Sequence, residues 1–169
     1  MESAKNGEET GKGRLIMLPV DGSSTCERAF QWYLDHLRRK SDRLAIVNII
    51  EPPVVPDSFI LMGPSMISEG WKREVEKSVV KSKETAARFE ERCKKENVPC
   101  RVLTETSDAG PGQRICELAK EVNASAIVVG SRGQNLIRRT LLGSVASYVV
   151  DHADIPVVVT PKVNQNTTR

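Results

Sequence analysis

Four stretches of the chain, residues 15–20, 44–50, 126–129 and 155–159, are short, nearly continuous apolar runs rich in Val and Ile. Runs of this kind belong to strands covered on both faces, as in a parallel sheet. A fifth stretch, residues 101–106, alternates polar and apolar positions and predicts a more exposed edge strand. Between these runs the apolar positions recur every three or four residues. Ser23 or Ser24 is placed to cap a helix whose apolar face carries Cys26, Phe30, Tyr33 or Leu34, and Leu37. Trp71, Val75, Val79, Ser82, Ala86, Phe89 and Cys93 form one stripe that predicts a helix over 68–97. Shorter helices are expected over 113–121, with Ile115, Leu118 and Val122 inward, and over 144–152, with Val145, Tyr148 and Val149 inward.

Strands and helices therefore alternate, and short connections between them force parallel strands joined by right-handed crossovers. The predicted fold class is α/β, a Rossmann-like open parallel five-stranded sheet with helices on both faces. Ligands of such sheets sit beyond the carboxyl ends of the strands, where the strand order reverses. If the first strand is central, that point lies between Val20 and Gly130. The longest irregular connection, 52–67, contains Pro52, Pro53, Pro56, Gly63 and Pro64. It reads either as a lid over the crevice or as a solvated connection, and its apolar members Phe59, Ile60 and Leu61 argue that it docks on something.

Composition narrows the class of molecule. The chain has 169 residues, 39% of them hydrophobic, 28% charged and 4% aromatic. One domain of this size buries roughly 70% of its unfolded surface without disulfides or metals. That domain is expected over 14–161, with polar flexible tails at 1–13 and 162–169. The formal net charge is +3 and its basic residues are scattered among acidic ones, so no nucleic-acid stripe is visible. No segment approaches the roughly 18 apolar residues of a membrane span, and the polar start lacks a signal-peptide core. A cytoplasmic protein without a membrane partner is expected. Four cysteines without a C-x-x-C pair, and only two histidines, argue against structural zinc and for a reducing compartment.

The candidate chemistry lies at the two strand ends that flank the switch point. Gly130-Ser131-Arg132-Gly133 is followed, after nine more residues, by Gly143-Ser144 at the start of the last helix. Glycines here allow close backbone approach, and the free amides of a helix start attract an anion such as a phosphate. Arg132, or Arg138 with Arg139, would add positive charge. The plainer reading is that Gly133 and Gly143 shape a turn and Ser144 caps a helix. At the end of the first strand, Asp21 suits ribose hydroxyls or an adenine amine as an acceptor, or it caps the first helix through the Ser23 or Ser24 amide.

These residues resemble those of the universal stress protein family, in its nucleotide-binding branch. The resemblance rests on Pro19-Val20-Asp21-Gly22-Ser23, on Gly130-Ser131-Arg132-Gly133 with Leu141-Leu142-Gly143-Ser144-Val145, and on His152-Ala153-Asp154-Ile155-Pro156-Val157-Val158-Val159. It implies a sheet of order 3-2-1-4-5 that binds ATP, ADP or AMP, with Mg²⁺ as an optional companion. It also implies pairing into a homodimer through the last strand, at Ile155, Val157, Val158 and Val159. The same resemblance sets Pro19, Val20 and Asp21 against the nucleoside and the Ile49 backbone against the adenine edge. Val129, Gly130, Arg132 and Gly133 then follow the ribose and phosphates, and Gly143, Ser144 and Val145 hold phosphate oxygens. At Ala146 the chain lacks the hydroxyl that many nucleotide-binding members carry there.

Rival classes fail on missing residues. A dinucleotide oxidoreductase needs G-x-G-x-x-G after the first strand, a P-loop hydrolase needs G-x-x-x-x-G-K-[ST], and neither occurs. A phosphorylated receiver domain needs an aspartate on the third strand, where the chain reads Thr104-Glu105-Thr106. The expectation is a stress-response regulatory or sensor protein that binds a nucleotide and is not an enzyme. A slow ATPase, or a nucleotide-free interaction module of the same fold, is the alternative.

Overall fold

In the computed structural model the described residues are 13–51, 64–131 and 142–161, with 64–69 described by their backbone alone. The strands are β1 (Leu15–Pro19), β2 (Arg43–Ile50), β3 (Cys100–Thr106), β4 (Ala126–Gly130) and β5 (Val157–Thr160). The helices are α1 (Ser24–Trp32), α2 (Pro64–Lys95), α3 (Pro111–Glu121) and α4 (Ser144–His152). Every strand pair is parallel and the order is β3-β2-β1-β4-β5. This is the Rossmann-like α/β sheet that the alternating pattern predicts. No helix among the described residues is long and apolar enough to cross a membrane.

Because successive strand side chains point to opposite faces, each apolar run feeds two cores. Ile16, Leu18, Leu44, Ile46 and Val128 face Phe30 and Tyr33 of the first helical segment and Phe89 of α2. Leu15, Met17, Ala45, Val47 and Ile127 face Ile115 and Leu118 of α3 and Val149 of α4. A continuous apolar run is thus the signature of a strand with helices on both sides. β3 is an edge strand and exposes every second residue at its start and end, matching its alternating sequence.

Several boundaries differ from the expected ones. α2 begins at Pro64, not at residue 68, so residues 64–67 belong to the helix and not to the irregular connection. Proline suits the first turn of a helix, where its missing N–H has no partner to lose. The remainder of that connection, 52–63, lies outside the described residues. α3 likewise begins on Pro111, two residues before the expected start. The α2 stripe is buried only at Ser82, Ala86, Phe89 and Cys93, while Val75 and Val79 are half-buried and Trp71 is 37% exposed. Its 32 residues extend about 48 Å at 1.5 Å each. The eight residues of β2 beside it extend about 26 Å, so the helix outruns the sheet.

After α1 the chain widens into a π-helical turn, Tyr33–Leu37, closed by Arg38 N donating to Tyr33 O at 2.9 Å. The wider turn lets Tyr33 be fully buried while Leu34 and Leu37 also pack on the core, so the sequence alternatives are both used. Tyr33 helps hold a buried carboxylate, Asp42. Arg14 grips Asp42 through two hydrogen bonds of 2.9 and 2.8 Å, joined by the Tyr33 hydroxyl at 3.2 Å and the Arg39 amide at 2.9 Å. Burial alone would raise the Asp42 pKa, but these donors outweigh it and hold the group below the ordinary carboxylate value.

Candidate functional site

A crevice of about 420 Å³ opens beyond the carboxyl ends of β1, β2 and β4. Its lining includes Pro19, Val20 and Asp21 from the end of β1, Ile49 from β2, Val129 and Gly130 from β4, and Gly143, Ser144 and Val145 at the start of α4. The structure thus brings nine of the sequence-predicted residues to one cavity at the topological switch point. Arg132 and Gly133, with Arg138 and Arg139, lie outside the described residues.

The two ends of the crevice differ chemically. At one end α4 starts on Gly143, whose extended conformation (φ −64°, ψ 155°) brings no side-chain cap. The first intrahelical bond runs from Ser147 N to Gly143 O at 2.9 Å, so the Ser144, Val145 and Ala146 amides have no partner within the helix. With the positive end of the helix dipole they form a seat for an anion. The seat is anchored from behind: Gly143 N donates to Ser131 O at 2.8 Å, and Ser131 N to Thr160 O at 3.1 Å. Ala146 is buried against the same cavity.

At the other end Asp21 both lines the cavity and braces the chain. Its Oδ1 accepts from Ser23 N at 2.9 Å, bracing the start of α1, while the residue lines the cavity. Ser23 is the actual N-cap, its hydroxyl accepting from Cys26 N at 3.4 Å. Between them Gly22 holds φ +78°, a left-handed conformation, and a β-carbon there would lie 3.0 Å from Thr85 Oγ1.

Two glycines of the crevice have local roles of their own. Gly130 lines the cavity, and its missing β-carbon also makes room for α1: a Cβ would lie 2.4 Å from Thr25 Cγ2. Gly143 has an ordinary extended φ and needs no left-handed turn. Ile155 precedes β5 and packs on the α3/α4 core, so it is not part of the strand edge; Val157, Val158 and Val159 are in β5, each half-buried.

Sequence reasoning missed the floor and one wall. Asn48 interrupts an apolar run and is 5% exposed. Its Nδ2 donates to Val20 O at 2.6 Å and its Oδ1 accepts from the Ser82 hydroxyl, tying β1, β2 and α2 together at the cavity. Ser78, Ser82 and Thr85 of α2 form a polar wall beside it. The available signal was an Asn inside a doubly covered strand, which requires buried partners. His152 stands at the far end of α4, stacked on Tyr148 with centroids 3.9 Å apart and its Nδ1 2.9 Å from Tyr148 O. Helix length separates it from the crevice.

A cavity with an anion seat and a carboxylate, lined by apolar Pro19, Val20 and Val129 on one side and by the polar wall of α2 on the other, suits an elongated ligand with an anionic head. Comparison with known proteins agrees in kind. Residues 14–161 match the model of the universal stress protein family. A universal stress protein A-like protein of Arabidopsis thaliana is 30% identical over 148 residues, 86% of this chain and 83% of the relative. The crystal structure of a universal stress protein family protein from Arabidopsis thaliana with AMP bound superposes with TM-score 0.65 at 23% identity, covering 92% of this chain and 95% of that one. The Archaeoglobus fulgidus universal stress protein in complex with dAMP gives 0.60 at 22% identity, covering 88% and 98%. The chain belongs to the universal stress protein family.

Proposed function

We propose that the chain binds an adenine nucleotide, ATP, ADP or AMP, in the crevice between β1 and β4. The observation that carries this reading is the uncapped start of α4 facing the same cavity as Asp21. The phosphates would sit on the Gly143, Ser144 and Val145 amides, and the family resemblance adds Arg132 and Gly133, which lie outside the described residues, as further contacts. The ribose and base would run past Val129 and Gly130 toward Pro19, Val20 and Asp21, with the Ile49 backbone at the adenine edge. AMP and dAMP in structures of the same fold support the ligand class. Among the described residues no group of three or more His, Cys, Asp or Glu side chains could hold a metal.

Binding, not turnover, is the proposed role, that of a cytoplasmic regulatory or sensor protein whose crevice is ordered by the nucleotide. The four free thiols suit a reducing compartment. A homodimer through β5 is part of the proposal: β5 is an edge with β4 as its partner and three half-buried valines. Calorimetric titration of the full chain with ATP, ADP and AMP tests the reading. Folded protein that binds none of the three overturns it, and sustained phosphate release lost in Asp21→Ala would turn the role into catalysis. Sedimentation of Val157→Lys should show a smaller species than the parent; an unchanged species removes the β5 dimer.

A further inference from the structure

The four cysteines are of two kinds. Cys26 and Cys116 are buried on opposite faces of the sheet, and burial pushes both thiols up. Cys93 and Cys100 are neighbours. Cys93 lies in the last turns of α2 without exposed surface, and Cys100 opens β3, half-buried, against the same core.

The turn between them is built to bring them together. Asn97 adopts the left-handed conformation (φ 52°) that ends many helices. Val98 N returns to Cys93 O at 2.9 Å and Asn97 N to Lys94 O at 3.2 Å, the paired bonds of a Schellman cap. Pro99 O then accepts from Leu44 N at 2.9 Å, which fixes where β3 begins. The chain thus doubles back within seven residues, packs Cys100 against the core that holds Cys93, and sets the Cys93 thiol to donate a hydrogen bond to Cys100.

We propose that Cys93 and Cys100 form a dithiol modification site that reacts with a hydroperoxide to give an intramolecular disulfide. Cys100, which solvent reaches, loses its proton and attacks the peroxide; an S–O bond forms, the O–O bond breaks, and the leaving oxygen departs protonated as water or an alcohol. Cys93 then attacks the sulfenic sulfur; the S–S bond forms, the S–O bond breaks, and hydroxide leaves with the Cys93 proton as water. Two thiols and one hydroperoxide yield one disulfide, one alcohol and one water, or two waters from hydrogen peroxide. The electrostatics fit this division of labour. The hydrogen bond from Cys93 draws the Cys100 pKa down, while donating that bond, together with burial, pushes Cys93 up. A thiolate with exposure and an adjacent resolving thiol is the arrangement of redox-reactive cysteines. The product would join the end of α2 to the edge strand β3, independently of any nucleotide.

The test uses the reduced full chain and one equivalent of hydrogen peroxide. The expected product is a monomer lighter by two hydrogens, whose tryptic map links residues 93–94 to residues 96–101, with Cys26 and Cys116 still alkylatable. Before oxidation, iodoacetamide should label Cys100 about tenfold faster than Cys26 or Cys116. Cys93→Ala should stop the reaction at a dimedone-trappable sulfenic acid on Cys100, and Cys100→Ser should abolish it. A linkage through Cys26 or Cys116, an intermolecular product, or a sulfenic acid accumulating at Cys100 of the unmutated chain would overturn the proposal. The peptide map of the unmutated chain decides the matter even if Cys93→Ala, a core substitution, folds poorly.

Discussion

Two helices begin at the rim of one crevice and treat their first amides in opposite ways. α1 supplies its own acceptors: the Ser23 hydroxyl takes the Cys26 amide and Asp21 takes the Ser23 amide. α4 begins on Gly143, which has no side chain to offer. A helix that caps itself gains about 1 kcal/mol and has less need of an external anion. One that begins on glycine leaves its donors and dipole for whatever anion arrives. The difference gives the crevice a polarity, with phosphate expected at α4 and the hydroxyl-bearing or amine-bearing end of the ligand at Asp21.

The strongest test of this polarity removes a donor without disturbing the helix. Proline is tolerated at the first helical position, and Gly143 already has the extended conformation that a following proline demands. Ser144→Pro deletes one amide and one hydroxyl at the seat. Hydrogen bonds to a charged group contribute about 1.5 kcal/mol or more each, so AMP affinity should fall about 100-fold at unchanged melting temperature. Ser24→Pro, the same change at the start of α1, follows an extended Ser23 (φ −74°, ψ 158°) and should leave affinity unchanged. Calorimetry on both variants decides it; equal losses would erase the distinction between the two helix starts.

Next in size is the glycine whose missing side chain makes room for α1. Gly130→Ala drives a Cβ to 2.4 Å from Thr25 Cγ2 and 3.1 Å from Thr25 O. Overpacking of this kind costs about 2 kcal/mol. Thr25→Ser removes the nearer atom but not the carbonyl, so the double variant should recover about half of the loss in denaturant melts. If Gly130→Ala abolished nucleotide binding with stability intact, the missing side chain would be making room for the ligand and not for α1.

How far the sequence could be read follows from the same contrast. Period and β-branching placed all five strands, because strands sandwiched between helices must be apolar on both faces, and β3 betrayed its edge by alternating. The cavity was legible wherever residue type and position acted together, as with Asp21 after β1 and Gly143-Ser144 opening α4. It was not legible at Asn48, Ser82 and Thr85, whose role depends on α2 crossing the end of β2, a tertiary relation without a sequence period. That Ser23 and not Asp21 caps α1 depends on the local backbone, which residue type alone does not distinguish. The packing of Gly130 on Thr25 was hidden for the same reason, since a missing β-carbon has one sequence signature whether helix or ligand fills the space.

The smallest expected effect addresses the self-capped helix directly. Ser23→Ala removes the acceptor of the Cys26 amide while Asp21 still holds the residue 23 amide. Loss of an N-cap hydroxyl costs about 1 kcal/mol, to be read from the denaturant midpoint at unchanged slope. AMP affinity should stay as it was, because the proposed pose puts the phosphate at α4 and the hydroxyl of Ser23 is engaged by its own helix. The variant also creates a second start without a side-chain cap beside the same cavity. Should affinity rise or fall about tenfold, the α1 amides compete for or contribute to the anion site. The division of the crevice into a phosphate end and a nucleoside end would then have to be redrawn around both helices.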